Sequence, residues 1–106
     1  MPELILTDQN FEQEALKDDK PVLVDFWSPI CAPCLVMGPV IEEIAEQLEG
    51  KIKVGKLNVS DNPKTSRDYG IRAIPTFIIF KDGKEIERVI GVQQKQFLID
   101  KLNSYL

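Results

Sequence analysis

Trp27-Ser28-Pro29-Ile30-Cys31-Ala32-Pro33-Cys34 holds the only two cysteines of the chain, three positions apart. Before it runs Pro21-Val22-Leu23-Val24-Asp25-Phe26-Trp27, an apolar segment of strand character. After it a helical pattern extends from Leu35 to Leu48, so the thiols sit where a strand gives way to a helix. Two thiols that can close to a disulfide and reopen form a redox couple. The other reading is half of a zinc site. Zinc takes about four Cys or His ligands, and the chain has no His and no third Cys. Completion by Asp or Glu is an uncommon alternative, and the spacing in this context favours redox chemistry.

Working outward, residues 22–27 are apolar on both faces, as in a central strand covered on both sides, with Asp25 the exception. Met37, Val40, Ile41, Ile44, Ala45 and Leu48 recur at helical spacing, Pro39 lies inside that helix, and Gly50 is placed to end it. Glu3–Thr7 reads as a first strand. Thr7 or Asp8 is positioned to cap a helix whose apolar stripe is Phe11, Ala15 and Leu16. Ile52–Val59 reads as a third strand. A short helix runs from Asp61-Asn62-Pro63 to Tyr69, stopped at Gly70. Pro75–Phe80 and Glu85–Ile90 pair through the Asp82-Gly83 turn. Gln94–Leu106 closes the chain as a helix presenting Leu98, Leu102 and Tyr105. This alternation implies an α/β fold with parallel strands, helices on both sides and an antiparallel closing hairpin.

The chain has 106 residues, which suits one domain spanning 1–106. Its net charge of −4 argues against a nucleic-acid or anionic-membrane surface. No apolar run approaches the ~18 residues that would span a membrane. Met1-Pro2-Glu3-Leu4 lacks the features of a secretory signal. A cysteine pair in such a chain is expected in a reducing compartment, the cytoplasm, where a disulfide is catalytic more often than structural.

Taken together, Val22-Leu23-Val24-Asp25-Phe26-Trp27, Cys31-Ala32-Pro33-Cys34, Pro39, Lys56-Leu57-Asn58-Val59, Ile74-Pro75-Thr76, Phe80-Lys81-Asp82-Gly83 and Gly91 resemble the thioredoxin family along essentially the whole chain. The resemblance implies a five-stranded mixed sheet flanked by four helices. It also implies a thiol-disulfide oxidoreductase that reduces protein disulfides as a monomer. Such a protein needs no bound cofactor and is recycled by a thioredoxin reductase. A disulfide oxidase or isomerase, and a redox-silent binding module of the same fold, are the alternatives. The family usually reads Trp-Cys-Gly-Pro-Cys-Lys at this point. Ile30, Ala32 and Leu35 depart from that pattern, and the departures bear on partner choice and redox potential.

Cys31 is expected to be the attacking thiol, because free N–H groups and the helix dipole stabilise a thiolate at a helix N-terminus. Cys34, at i+3 on the same side, is expected to resolve the mixed disulfide. Pro33 between them restricts the backbone. Asp25 in a buried strand is a candidate proton acceptor for Cys34, a role the resemblance also implies; the alternative is a solvated strand end. Lys56 either neighbours Asp25 and moderates its charge or is an ordinary exposed lysine. The resemblance implies a cis bond before Pro75 that leaves the Ile74 backbone free to pair with an extended substrate. Gly91 either permits close backbone approach or is a turn glycine. Ile30, Ala32 and Val92 are expected to border the substrate face, with Trp27 packed under the site.

Overall fold

A computed structural model describes residues 3–106. The expected domain begins two residues earlier, and Met1 and Pro2 lie outside the described residues. The elements in order are β1 (Glu3–Leu6), α1 (Glu12–Leu16), β2 (Val22–Trp27), α2 (Ala32–Gln47), β3 (Lys53–Asn58), α3 (Pro63–Asp68), β4 (Thr76–Lys81), β5 (Lys84–Ile90) and α4 (Lys95–Asn103).

The sheet order is β1-β3-β2-β4-β5. β3 pairs parallel to both β1 and β2, whereas β4 runs antiparallel to β2 and β5 antiparallel to β4. The sheet is therefore mixed and four helices flank it, as the resemblance implied. β2 is central and buried along nearly its whole length, which is why its sequence is apolar without alternation.

Alternation along the strands divides the core into two layers. Leu23, Val54, Phe77 and Ile79 pack under Met37, Ile41, Ile44 and Ala45 of α2 and Leu98, Ile99 and Leu102 of α4. Leu6, Val22, Val24, Phe26, Leu57, Ile78 and Phe80 face the other way, against Phe11, Ala15 and the partly buried Tyr69. Asp82 and Gly83 adopt φ of +54° and +79°, the left-handed pair that a two-residue hairpin turn requires between β4 and β5.

The first helix differs from expectation. Thr7 N–H donates to Asn10 Oδ1 at 2.7 Å and Asn10 N–H returns to Thr7 Oγ1 at 3.2 Å. The chain then makes a single wide π-type turn instead of a regular helix. Five residues are too few to sustain a cooperative ladder, and the turn still buries Phe11 and Ala15. Asp8 does not cap α1. It caps α3 from across the fold, accepting from Thr65 N–H at 2.9 Å, Thr65 Oγ1–H at 2.7 Å and Lys64 N–H at 3.2 Å. The reason is local: Pro63 has no N–H and the Asn62 side chain makes no cap, so the first turn of α3 has free donors to satisfy.

Candidate active site

Cys31 is the N-cap of α2, with extended backbone, and the helix begins at Ala32 with Pro33 in its first turn. The start is three residues earlier than the apolar periodicity alone marks, because proline is well tolerated where an N–H has no helical partner. The turn before it is tied down by Cys31 N–H donating to the Ser28 carbonyl at 3.2 Å and Ile30 N–H donating to Ser28 Oγ at 3.3 Å.

Cys31 and Cys34 are joined as a disulfide, their Cα atoms 5.2 Å apart. The Cys34 N–H points at Cys31 Sγ at 3.2 Å, so a helix-terminal donor is aimed at the outer sulfur. The two sulfurs are not equivalent. Cys34 is 3% exposed, while Cys31 is only half-buried at the rim.

A second loop faces the dithiol. The Ile74–Pro75 peptide bond is cis, and the Ile74 carbonyl oxygen lies 3.7 Å from Cys31 Sγ. Pro75 is buried and Ile74 half-buried. A third loop leans on the second: Gly91 N–H donates to the Pro75 carbonyl at 2.8 Å, with Gly91 at φ +90°. Gln93 N–H reaches the Met37 sulfur of α2 at 3.4 Å, which ties this loop back to the helix that carries the cysteines. The rim is aliphatic. Ile30 is 92% exposed, and Ala32, Pro33, Leu35 and Val92 are exposed with it.

Beneath the rim stands Asp25, 1% exposed. Strand alternation puts it on the same face as Leu23, hence in the layer covered by α2. Burial pushes its carboxyl up to about 7, against the opposing pull of Lys56 and with a further push from Glu3. Lys56 pairs in register with Asp25 on the neighbouring strand. Its ammonium nitrogen lies 4.3 Å from the centroid of the half-buried Trp27 ring. The arrangement thus brings Trp27, Ile30, Cys31, Ala32, Pro33, Cys34, Ile74, Pro75, Gly91 and Val92 to one end of the sheet, with Asp25 and Lys56 below. Ser28 and Gln93 join the rim, and Glu3 lies lower on the face that carries Asp25 and Lys56, in register with Val54. A polar residue at the head of an apolar edge strand was the only sign of Glu3, and nothing marked the other two.

A buried and a half-buried cysteine, an apposed cis-proline loop and a carboxyl below form a unit able to exchange disulfides. The family model for thioredoxin matches residues 2–104. The chain belongs to the thioredoxin family. It is 50% identical over 101 residues to "Thioredoxin 1" of Nostoc sp. (strain PCC 7120 / SAG 25.82 / UTEX 2576), covering 95% of this chain and 94% of that one. It is 49% identical over 96 residues to the "Thioredoxin" of Rickettsia conorii (strain ATCC VR-613 / Malish 7), covering 91% of each. It is 49% identical over 100 residues to "Thioredoxin 2" of Chlorobaculum tepidum (strain ATCC 49652 / DSM 12025 / NBRC 103806 / TLS), covering 94% and 92%. As a thioredoxin it is a thiol-disulfide oxidoreductase of the protein-disulfide-reductase type. Disulfide-bearing substrates and a thioredoxin reductase are the general partners of the family. Among the described residues no helix is long and apolar enough to cross a membrane, and no cluster of three or more His, Cys, Asp or Glu could hold a metal ion.

Proposed function

We propose that this thioredoxin reduces disulfides in partner proteins with Cys31 as nucleophile, Cys34 as resolving thiol and Asp25 as the acceptor of the Cys34 proton. The unequal exposure of the two sulfurs carries the assignment: a substrate disulfide can reach Cys31 but not the buried Cys34. The Cys31 thiolate, supported by the Cys34 N–H, attacks one substrate sulfur. A mixed disulfide forms and the first substrate sulfur leaves as a thiolate that takes up a proton. Cys34 then gives its proton to the Asp25 carboxylate and attacks Cys31 Sγ. The Cys31–substrate bond breaks, the Cys31–Cys34 bond forms, and the second substrate sulfur leaves and is protonated. Two electrons pass from the dithiol to the substrate, and the sulfurs alone carry them, so no bound cofactor is required.

Lys56 moderates the charge on Asp25 from the adjacent strand. The Ile74 backbone pairs with an extended substrate segment beside Pro75 and Gly91. Ile30, Ala32, Pro33 and Val92 contact its side chains, and Trp27 supports the loop from beneath. The single domain of residues 1–106 acts as a monomer, since one chain holds both sulfurs. It works in the cytoplasm, where a reductase keeps such a dithiol reduced. The test is trapping. Reduced Cys34→Ser, mixed with a disulfide-bearing protein, should accumulate a Cys31-linked adduct visible by mass spectrometry, whereas Cys31→Ser should lose essentially all reductase activity. Adducts that build up on Cys34 in Cys31→Ser instead would reverse the two roles.

A further inference from the structure

Three ionisable side chains share one face of three adjacent strands. Asp25 on β2 and Lys56 on β3 are direct partners in the ladder. Glu3 on β1 is in register with Val54, two residues before Lys56 and on the same face. Asp25 Oδ1 and Glu3 Oε2 are both buried without a hydrogen-bond partner. Buried carboxylate oxygens left unpaired are costly when charged, and here two carboxylates have one cation between them. Among the described residues, Lys56 forms no ion pair with either; its ammonium rests over Trp27. The other elements against the cluster are α2, which contributes Glu42 near Glu3, and β4, which contributes the apolar Phe77 opposite Asp25.

Like charges in a poorly solvated space do not ionise independently. Burial raises the carboxyls of both Glu3 and Asp25, and the charge of Lys56 pulls both down. Glu3 in turn disfavours charge on Asp25, so a charged Glu3 both competes for Lys56 and repels a charged Asp25. We propose that Glu3 is a positioning residue for disulfide exchange: its carboxylate shares Lys56 with Asp25 and so delays the point at which Asp25 is free to take the proton of Cys34. Glu3 touches neither sulfur and acts only through Lys56 and Asp25. The proposal rests on the reading of Asp25 as the proton acceptor.

The reduced full-length protein should react with an aromatic disulfide reagent in two optical phases. The first is attack by Cys31 and the second is displacement by Cys34, each releasing one aromatic thiolate. Wild type, Glu3→Gln, Glu3→Asp and Asp25→Asn are compared across pH, and the Asp25 carboxyl is followed in parallel by carbon NMR. In Glu3→Gln the second phase should titrate about half a pH unit lower, a ~3-fold faster displacement below the midpoint. The Asp25 resonance should move with it and the first phase should not change. Glu3→Asp, which keeps the charge, should return the midpoint toward wild type. A second-phase midpoint unmoved in Glu3→Gln, in a protein where Asp25→Asn abolishes the titration, overturns the role of Glu3 alone. A titration that survives Asp25→Asn overturns the reading of Asp25 beneath it. A midpoint that moves while the Asp25 resonance does not also overturns the role of Glu3.

Discussion

The two faces of the sheet are built from the same strands and hold different things. The face under α1 and α3 has an aliphatic and aromatic core with Thr76 buried in it, Lys53 paired to Glu14 and Asp18 at its margin, and an aromatic trio as its outer layer. Phe80 meets Phe11 and Tyr69 edge-on at centroid distances of 5.6 and 5.3 Å, and Phe11 lies 5.5 Å from Tyr69. The face under α2 has an equally apolar core but carries Asp25 and Lys56 beneath the dithiol and Glu3 one step further along the same face. Both faces bury an apolar core; the one under α2 gives up part of its stability to keep a titratable carboxyl beneath a reactive sulfur. Charge on the first face is paired at its margin, Lys53 with Glu14 and Asp18, whereas on the second the Asp25 and Glu3 carboxyls each keep a buried oxygen without a partner.

The largest expected effect lies on the aromatic face. Phe80→Ala removes a fully buried ring and should cost about 3–5 kcal/mol in denaturant unfolding. Cys31 in the variant that remains folded should alkylate at the wild-type rate. An altered alkylation rate would show that the two faces are mechanically coupled.

Asp25→Asn probes the other face and should have the opposite sign. A carboxyl held up to about 7 in the fold against an ordinary 3.8 costs nothing below the lower value. The penalty grows as pH rises through the interval and is complete above the higher value. Above pH ~8 the variant should therefore be more stable than wild type by on the order of 2–4 kcal/mol, and below pH ~4 the gain should vanish. Resolution by Cys34 should slow at the same time, by about 10- to 100-fold. Equal stability at high pH would remove the contrast between the faces.

The smallest effect is expected at the rim. Ile30→Trp enlarges an exposed aliphatic contact and adds an N–H donor. It should reorder the rates with different partner proteins and reductases by a few-fold while moving the dithiol potential by less than ~30 mV, which for two electrons is about 1.4 kcal/mol. A large change in potential with unchanged partner rates would mean that position 30 tunes the sulfurs and does not select the partner.

Much of the architecture was legible because its signals are local. The unbroken apolar run of β2, the Asp82-Gly83 turn, the helical spacing from Met37 to Leu48 and the cysteine spacing each lie within a few residues of one another. What escaped depends on distant partners. Asp8 looks like a cap for the helix next to it, but the donors that need it are on Lys64 and Thr65, more than fifty positions away. Gly55 carries no local mark within β3. A Cβ there would come within 2.8 Å of Leu6 Cγ, so any larger residue would push the Leu6 side chain of β1 out of its place over β3. From its neighbours Glu3 is only the start of a strand, and only the β1–β3 register shows that it shares a face with Lys56 and Asp25. The wide turn at α1 also lacked a signature, since the same Phe11 and Ala15 spacing serves a regular helix.

The pairing of Phe26 with Thr76 has a consequence for where a reaction can occur at all. β2 and β4 run in opposite directions, so the residues leaving β2 and those entering β4 emerge side by side. Had β4 run parallel, its entry would lie at the far end of a six-residue strand, about 20 Å away at the usual rise per residue. The proline loop would then have faced away from the cysteines. A single reversal of direction, next to the central strand, gives the dithiol an opposite wall, and every later change at the rim adjusts a cleft that strand direction had already opened.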